Sequence, residues 1–183
     1  VESMAHVAGA APELPFYYYE IPSLTGIALS PSAFLDQASK QIPNLAGAKF
    51  TSNNLIEYQL CRSANSGALD IPFGIDEMLL SALAMGATGA VGSTYNFAAP
   101  IYHRIIKAFA DSNFGEARAE QLRSVRMVAV LAGKGYMGAA KAVMKMLGVD
   151  VGPARLPQGN LTPELEAALR SELDALGFFD WIR

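Results

Sequence analysis

The sequence predicts an α/β fold in which short parallel strands are covered by helices. Two observations carry this. Apolar runs alternate with amphipathic stretches of helical period, strand then helix, four times over. The strand ends fall near Tyr19, Lys49, Gly74 and Ser93, a spacing that starts at the ~30 residues of a βαβ unit and then shortens. An open doubly wound sheet and half of a (β/α)8 barrel both satisfy the pattern. A whole barrel, at ~250 residues, is too large for a chain of 183.

The first predicted strand is the aromatic run Leu14 to Tyr19, bounded by Pro15 and Pro22. Ser30-Pro31 then opens a helix to about Gln41, with Ser as cap and Pro at the first helical position. Leu45 to Phe50 is the second strand, and Asn53 or Asn54 caps a helix to about Ser63. Gly67 to Phe73 is the third strand. Asp76 and Glu77 start a helix that Gly86 ends, and Gly89 to Gly92 is a fourth, very short strand. Helices alone follow, at about 98–111, 115–131, 137–147 and 163–176. The opening residues, up to Gly9 and Pro12, read as the last turns of a helix, so the sequence is expected to be cut from something longer.

Composition excludes several classes of function. Half-hydrophobic content (51%) with 17% charged residues is that of a globular protein. A net charge of −3 without a basic stripe argues against a nucleic-acid partner. No apolar run reaches the roughly 20 residues of a membrane span. One cysteine, Cys61, permits no intrachain disulfide, and two distant histidines, His6 and His103, make a poor metal site. The run Gly86 to Ser93 lacks the lysine and the glycine spacing of a nucleotide loop.

In parallel α/β folds the reactive groups gather at the C-terminal ends of strands. Lys49 ends the apolar run Leu45-Ala46-Gly47-Ala48. An amine there is costly when charged, and only a free amine attacks a carbonyl, so Lys49 is a candidate Schiff-base lysine. A lysine whose head simply reaches solvent satisfies the spacing equally well. Tyr19, at the tip of the first strand, is a candidate proton shuttle or a packed aromatic. Asp76 and Glu77 either complement a helix dipole or accept hydrogen bonds from a polyol.

The residues at these positions resemble one family. Tyr17-Tyr18-Tyr19-Glu20-Ile21-Pro22-Ser23-Leu24-Thr25-Gly26 is similar to the tyrosine motif of N-acetylneuraminate lyases, and Gly47-Ala48-Lys49-Phe50-Thr51 to their Schiff-base lysine motif. Phe73 to Glu77, Gly89 to Asn96 and Gly152 to Pro157 resemble three further stretches in the same order. The likeness covers nearly the whole chain and is to the dihydrodipicolinate synthase/N-acetylneuraminate lyase family of class I aldolases.

The resemblance implies the C-terminal half of a TIM (β/α)8 barrel, about strands five to eight, in residues 1–112. A C-terminal helical extension follows in 113–183. It implies that Lys49 and Tyr19 are catalytic, and that Thr51, Gly74, Asp76, Glu77 and Ser93 bind substrate. The implied reaction is Schiff-base cleavage of N-acetylneuraminate to N-acetylmannosamine and pyruvate, with no metal or cofactor, in a cytoplasmic homotetramer. Leu24 stands where dihydrodipicolinate synthases usually carry an arginine, which favours the lyase branch. Glu20 is a minor departure, since some lyases carry Asn or His there. The early loop that holds the substrate carboxylate in the family has no counterpart here. Two alternatives stand beside this reading: an aldolase for another 2-keto sugar acid, and a non-catalytic chain that binds a full-length partner.

Overall fold

The computed structural model describes all residues 1–183. The element order is α1 (Glu2–Gly9), β1 (Phe16–Glu20), α2 (Pro22–Thr25), α3 (Pro31–Ala38), β2 (Leu45–Phe50), α4 (Leu55–Ser63), α5 (Leu79–Ala84), α6 (Tyr95–Ala110), α7 (Phe114–Ala132), α8 (Tyr136–Met146), α9 (Pro163–Leu176) and α10 (Phe178–Trp181). The chain forms two compact units, one of residues 1–75 with 81–91, the other of 76–80 with 92–183.

In the first unit β1 and β2 pair in parallel, with Tyr19 opposite Lys49 and Tyr17 opposite Gly47. Strand alternation then sorts the faces. Tyr17, Tyr19 and Lys49 stand on one face. Ala48 and Phe50 stand on the other and are buried, as are Leu35 of α3 and Tyr58 and Cys61 of α4. Phe50, Tyr58 and Phe73 form an aromatic cluster, with ring centroids 5.2 Å apart for Phe50–Tyr58 and 5.1 Å for Tyr58–Phe73. The Tyr58 hydroxyl donates to the Ile71 carbonyl at 3.0 Å, satisfying the one polar atom that burial would orphan.

The strand expected at Gly67 to Phe73 does not form as a continuous element. Its first residue closes a 3-10 turn, Ala64–Gly67, in which Asn65, Ser66 and Gly67 all have positive φ. What remains is a parallel bridge at Asp70 to Gly47 and another at Phe73 to Phe50. Pro72 lies between them and has no N–H to donate, although its carbonyl accepts from Phe50 N at 2.9 Å. The fourth strand is likewise a single parallel bridge, Phe73 to Ala90. The parallel order expected from the sequence holds, in a sheet thinner than expected. Gly47 shows how closely these segments approach: a Cβ there would lie 1.7 Å from the Asp70 carbonyl oxygen.

The helix caps follow the sequence closely. Ser30, Asn54, Asn113 and Thr162 each accept from the backbone N–H three residues on. The helix expected from Asp76 begins instead as a 3-10 turn, Asp76–Met78, before α5. The first strand runs Phe16–Glu20 rather than from Leu14, because Leu14 closes a turn onto Ala11. The short helices α2 and α10 were not expected. In the second unit α6 and α7 pack on each other, with α8 and α9 against α7. The apolar stripe of α7, including Met127 and Leu131, is buried with Ile101 and Ile105 of α6 and Leu169 and Leu173 of α9.

Candidate functional site

Lys49 Nζ donates to Tyr19 Oη at 3.0 Å and sits 4.2 Å from the centre of the same ring. The pairing follows from register. Directly opposed residues on parallel neighbours share one face and lie about 4.8 Å apart at the backbone, so two long side chains meet above the sheet. Tyr19 is 47% exposed and Lys49 is partly buried, so the pair is held yet reachable from solvent.

Thr51 follows on β2. Its N–H donates to the Glu20 carbonyl at 2.9 Å and to Glu20 Oε2 at 3.2 Å. Its hydroxyl is buried and has no hydrogen-bond partner within the chain. It lies against Gly74, where a Cβ would come within 2.1 Å of the Thr51 oxygen, so only glycine fits. Gly74 N donates back to the Phe50 carbonyl at 2.7 Å. Lys49 with Tyr19, and Thr51 with Gly74, are thus two adjoining pairs on the same strand ends.

Glu20 follows Tyr19 at the end of β1. It is 7% exposed and lies on the opposite face from Tyr19, as alternation requires. Burial pushes its carboxyl above the usual range, the Thr51 N–H opposes that shift, and the Glu57 charge adds to it.

Asp76, Glu77 and Ser93 belong to the second unit. Asp76 is 4% exposed, and its Oδ2 accepts from Thr94 N at 3.0 Å and from Thr94 Oγ1 at 2.5 Å. Thr94 Oγ1 also bonds the Tyr102 hydroxyl, which lies 2.9 Å from Ser124 Oγ. Ser124 Oγ returns to the Asp76 carbonyl at 3.2 Å, and Gln121 donates to it at 3.1 Å. Gly92 makes room for this carboxylate, since a Cβ there would lie 1.6 Å from Asp76 Oδ1. Thr94 lies in the Gly89 to Asn96 stretch without a role assigned from sequence, and no local motif signals Tyr102 or Ser124.

Glu77 is partly buried, and burial together with the neighbouring Asp76 outweighs its own N–H to raise its carboxyl. Ser93 is exposed and interacts with the Tyr136 hydroxyl. Burial, the Asp76 and Glu77 charges and the opposing Ser93 contact together leave that phenol at about 12. Cys61 is buried, and its thiol is pushed up to about 12 chiefly by burial, which makes it a poor nucleophile.

No helix is long and apolar enough to cross a membrane. Residues 3–176 match the model of the Dihydrodipicolinate synthetase family. The chain is 39% identical over 187 residues to the N-acetylneuraminate lyase of Homo sapiens, covering 98% of this chain and 58% of that one. Among solved structures it superposes on the Proteus mirabilis N-acetylneuraminate lyase with a TM-score of 0.93 at 38% identity, over 97% of this chain and 60% of that chain. For the lyase of Aliivibrio salmonicida, the TM-score is 0.92 at 41% identity, over 97% and 59%. The chain thus spans about 58% of the length of the curated relatives it matches. Its α/β fold, its paired Lys49 and Tyr19 and these matches across nearly its whole length agree: the chain belongs to the dihydrodipicolinate synthetase family.

Proposed function

We propose that the protein carrying this chain is a Schiff-base aldolase that cleaves N-acetylneuraminate to N-acetylmannosamine and pyruvate. The observation that carries the reading is the 3.0 Å contact between Lys49 Nζ and Tyr19 Oη on adjacent strand ends. The relatives named above, all N-acetylneuraminate lyases at 38–41% identity, support the choice of substrate.

The Lys49 amine attacks the C2 ketone of the open-chain sugar acid. Loss of water leaves a protonated imine, which draws electrons from the C3–C4 bond as it breaks. Tyr19 takes the proton from the C4 hydroxyl, relayed through the substrate carboxylate. The resulting enamine is protonated and hydrolysed to pyruvate, regenerating the amine. Thr51 positions the substrate through its unpartnered hydroxyl, with the Gly74 backbone beside it. Asp76, Glu77 and Ser93 are assigned as contacts to the polyol chain, because charged acceptors make the stronger hydrogen bonds to hydroxyls. The fold in this reading is the C-terminal half of a (β/α)8 barrel, about strands five to eight, with its helical extension, in a cytoplasmic tetramer.

Borohydride reduction in the presence of pyruvate, followed by peptide mass spectrometry, tests the assignment. A pyruvyl adduct on Lys49, absent in Lys49→Ala, is expected. An adduct on Lys134, Lys141 or Lys145 instead overturns it. A panel of 2-keto sugar acids then separates the lyase from an aldolase of other preference.

A further inference from the structure

The loop that leaves β1 directly after Tyr19 and Glu20 is tied down by a carboxylate far away in sequence. Near its start the loop has its own hydrogen bonds: Gly26 N to the Pro22 carbonyl at 2.9 Å, Thr25 Oγ1 to the Ile21 carbonyl at 3.1 Å, and Ile27 N to Thr25 Oγ1 at 3.3 Å. At its far end Ser30 caps α3 through Ala33 N, and three further bonds converge on one atom. Glu57 Oε1, from the first turn of α4, accepts from Ser30 Oγ at 2.8 Å, Ser32 Oγ at 2.7 Å and Ser32 N at 3.0 Å. Residues 23–30 are exposed, Leu24 and Leu29 by 80% and 69%, so apolar burial contributes little to holding that stretch, although Pro31 at its end is buried. A cavity of about 370 Å³ lies at the loop, lined by Pro22, Ile27 and Leu29 together with Glu20, Phe50 and Glu57.

We propose that Glu57 is the latch of this loop: its carboxylate fixes the segment from Ile21 to Ser32 in place beside Tyr19, and neutralising that carboxylate releases it. The latch does not depend on the aldolase reading. Its bearing on catalysis does, and there Glu57 is a positioning residue.

Several titratable groups share this packing. Glu20 faces the cavity from β1, Cys61 lies one turn along α4, Asp36 of α3 holds Asn65 N, and Arg62 of α4 interacts with the Tyr58 hydroxyl. Burial pushes the Glu57 carboxyl up, but the bonds from Ser32 and Ser30 outweigh it and hold the group below the usual carboxylate range. Glu20 is shifted the other way. On acidification Glu20 therefore takes a proton before Glu57 does. The latch is fully present above the ordinary Glu range and is lost as pH falls through the depressed value of folded Glu57.

The test is amide hydrogen exchange by mass spectrometry on the full chain, corrected for intrinsic pH dependence. At neutral pH Glu57→Gln is expected to speed exchange in peptides covering 26–33 by about tenfold or more, with α9 unchanged. Glu57→Asp should restore part of the protection. The unsubstituted chain should show the same opening in acid, and Glu57→Gln no such step. Should Glu57→Gln fold poorly, the Ser30→Ala/Ser32→Ala pair keeps the carboxylate and removes its hydroxyl donors. It should open the loop partly and move the acid step to higher pH. Equal protection in all variants, or opening without any acid step in the unsubstituted chain, overturns the proposal. Pyruvate trapping on Lys49, run in parallel, separates the two readings. Absence of an adduct in the unsubstituted chain counts against the aldolase and leaves the exchange result standing. A slower adduct in Glu57→Gln ties the latch to the site.

Discussion

The residues around Lys49 in the first unit and those around Asp76 in the second use polar groups in opposite ways. Lys49 and Tyr19 bond each other and stay within reach of solvent. Thr51 beside them keeps a hydroxyl without a partner. Asp76 is buried and turned inward, spending its Oδ2 on Thr94 and its carbonyl on Gln121 and Ser124. The first arrangement leaves chemistry to be done, while the second consumes its polar groups in holding a helix start to α6 and α7. A carboxylate in a family motif can therefore be structural glue as well as a substrate contact.

Substitutions in the two units should separate these roles. The largest effect is expected at Lys49: Lys49→Ala abolishes the borohydride-trapped pyruvate adduct with no fall in Tm, since its amine supports no buried group. Tyr19→Phe should keep the adduct but slow cleavage by roughly 10²–10⁴-fold, the usual worth of a general acid–base group, measured as single-turnover release of N-acetylmannosamine in the parent protein. Asp76→Ala should invert the pattern, lowering stability by roughly 2 kcal/mol in denaturant unfolding, because it strands the buried Thr94 N–H and leaves the Thr94 hydroxyl only Tyr102 as a partner. A full-sized Tm for Asp76→Ala would break the contrast.

Smaller effects sharpen it. Glu20 has a folded pKa raised by burial, so its contribution to stability is present below the ordinary Glu range and lost as pH rises through the folded value. Glu20→Gln keeps an acceptor for Thr51 N–H and should flatten that decline, raising Tm modestly at pH 7. Ser66→Gly should stabilise by about 1 kcal/mol, because Ser66 holds φ +59 in the left-handed region, where glycine is unstrained. Both are read by thermal scans across pH.

Much of the fold was legible because local chemistry decides it. Ser30-Pro31, Asn54 and Thr162-Pro163 start helices where their side chains cap them. The β2 run, Leu45–Phe50, reads the same in sequence and structure. The third strand was misjudged because an apolar run says nothing of the left-handed turn at Asn65 and Ser66, nor of how one proline thins a ladder. In the candidate site, Lys49 and Tyr19 stood out as polar groups ending apolar runs. Glu57 and Asp76 did not declare their partners, because Ser32 is 25 positions from Glu57 and Ser124 is 48 from Asp76. Such pairings exist only once the chain is folded. The direction in which Glu20 points is likewise a product of strand alternation, which no residue type announces.

Gly47 acts as a key tooth for the placement of Lys49 two residues away. Its missing side chain is what lets the Asp70 carbonyl close against β2, and Tyr17 Cε1 would lie 3.0 Å from any Cβ placed there. Only one register puts that gap opposite that carbonyl. A slip of a single residue would bring Ala48 to the gap and turn the Lys49 amine to the helix-covered face of the sheet. The proposed role of Lys49 would therefore be guarded by a residue with no chemistry of its own, and an insertion between Gly47 and Lys49 is expected to abolish the pyruvate adduct in a chain that still folds.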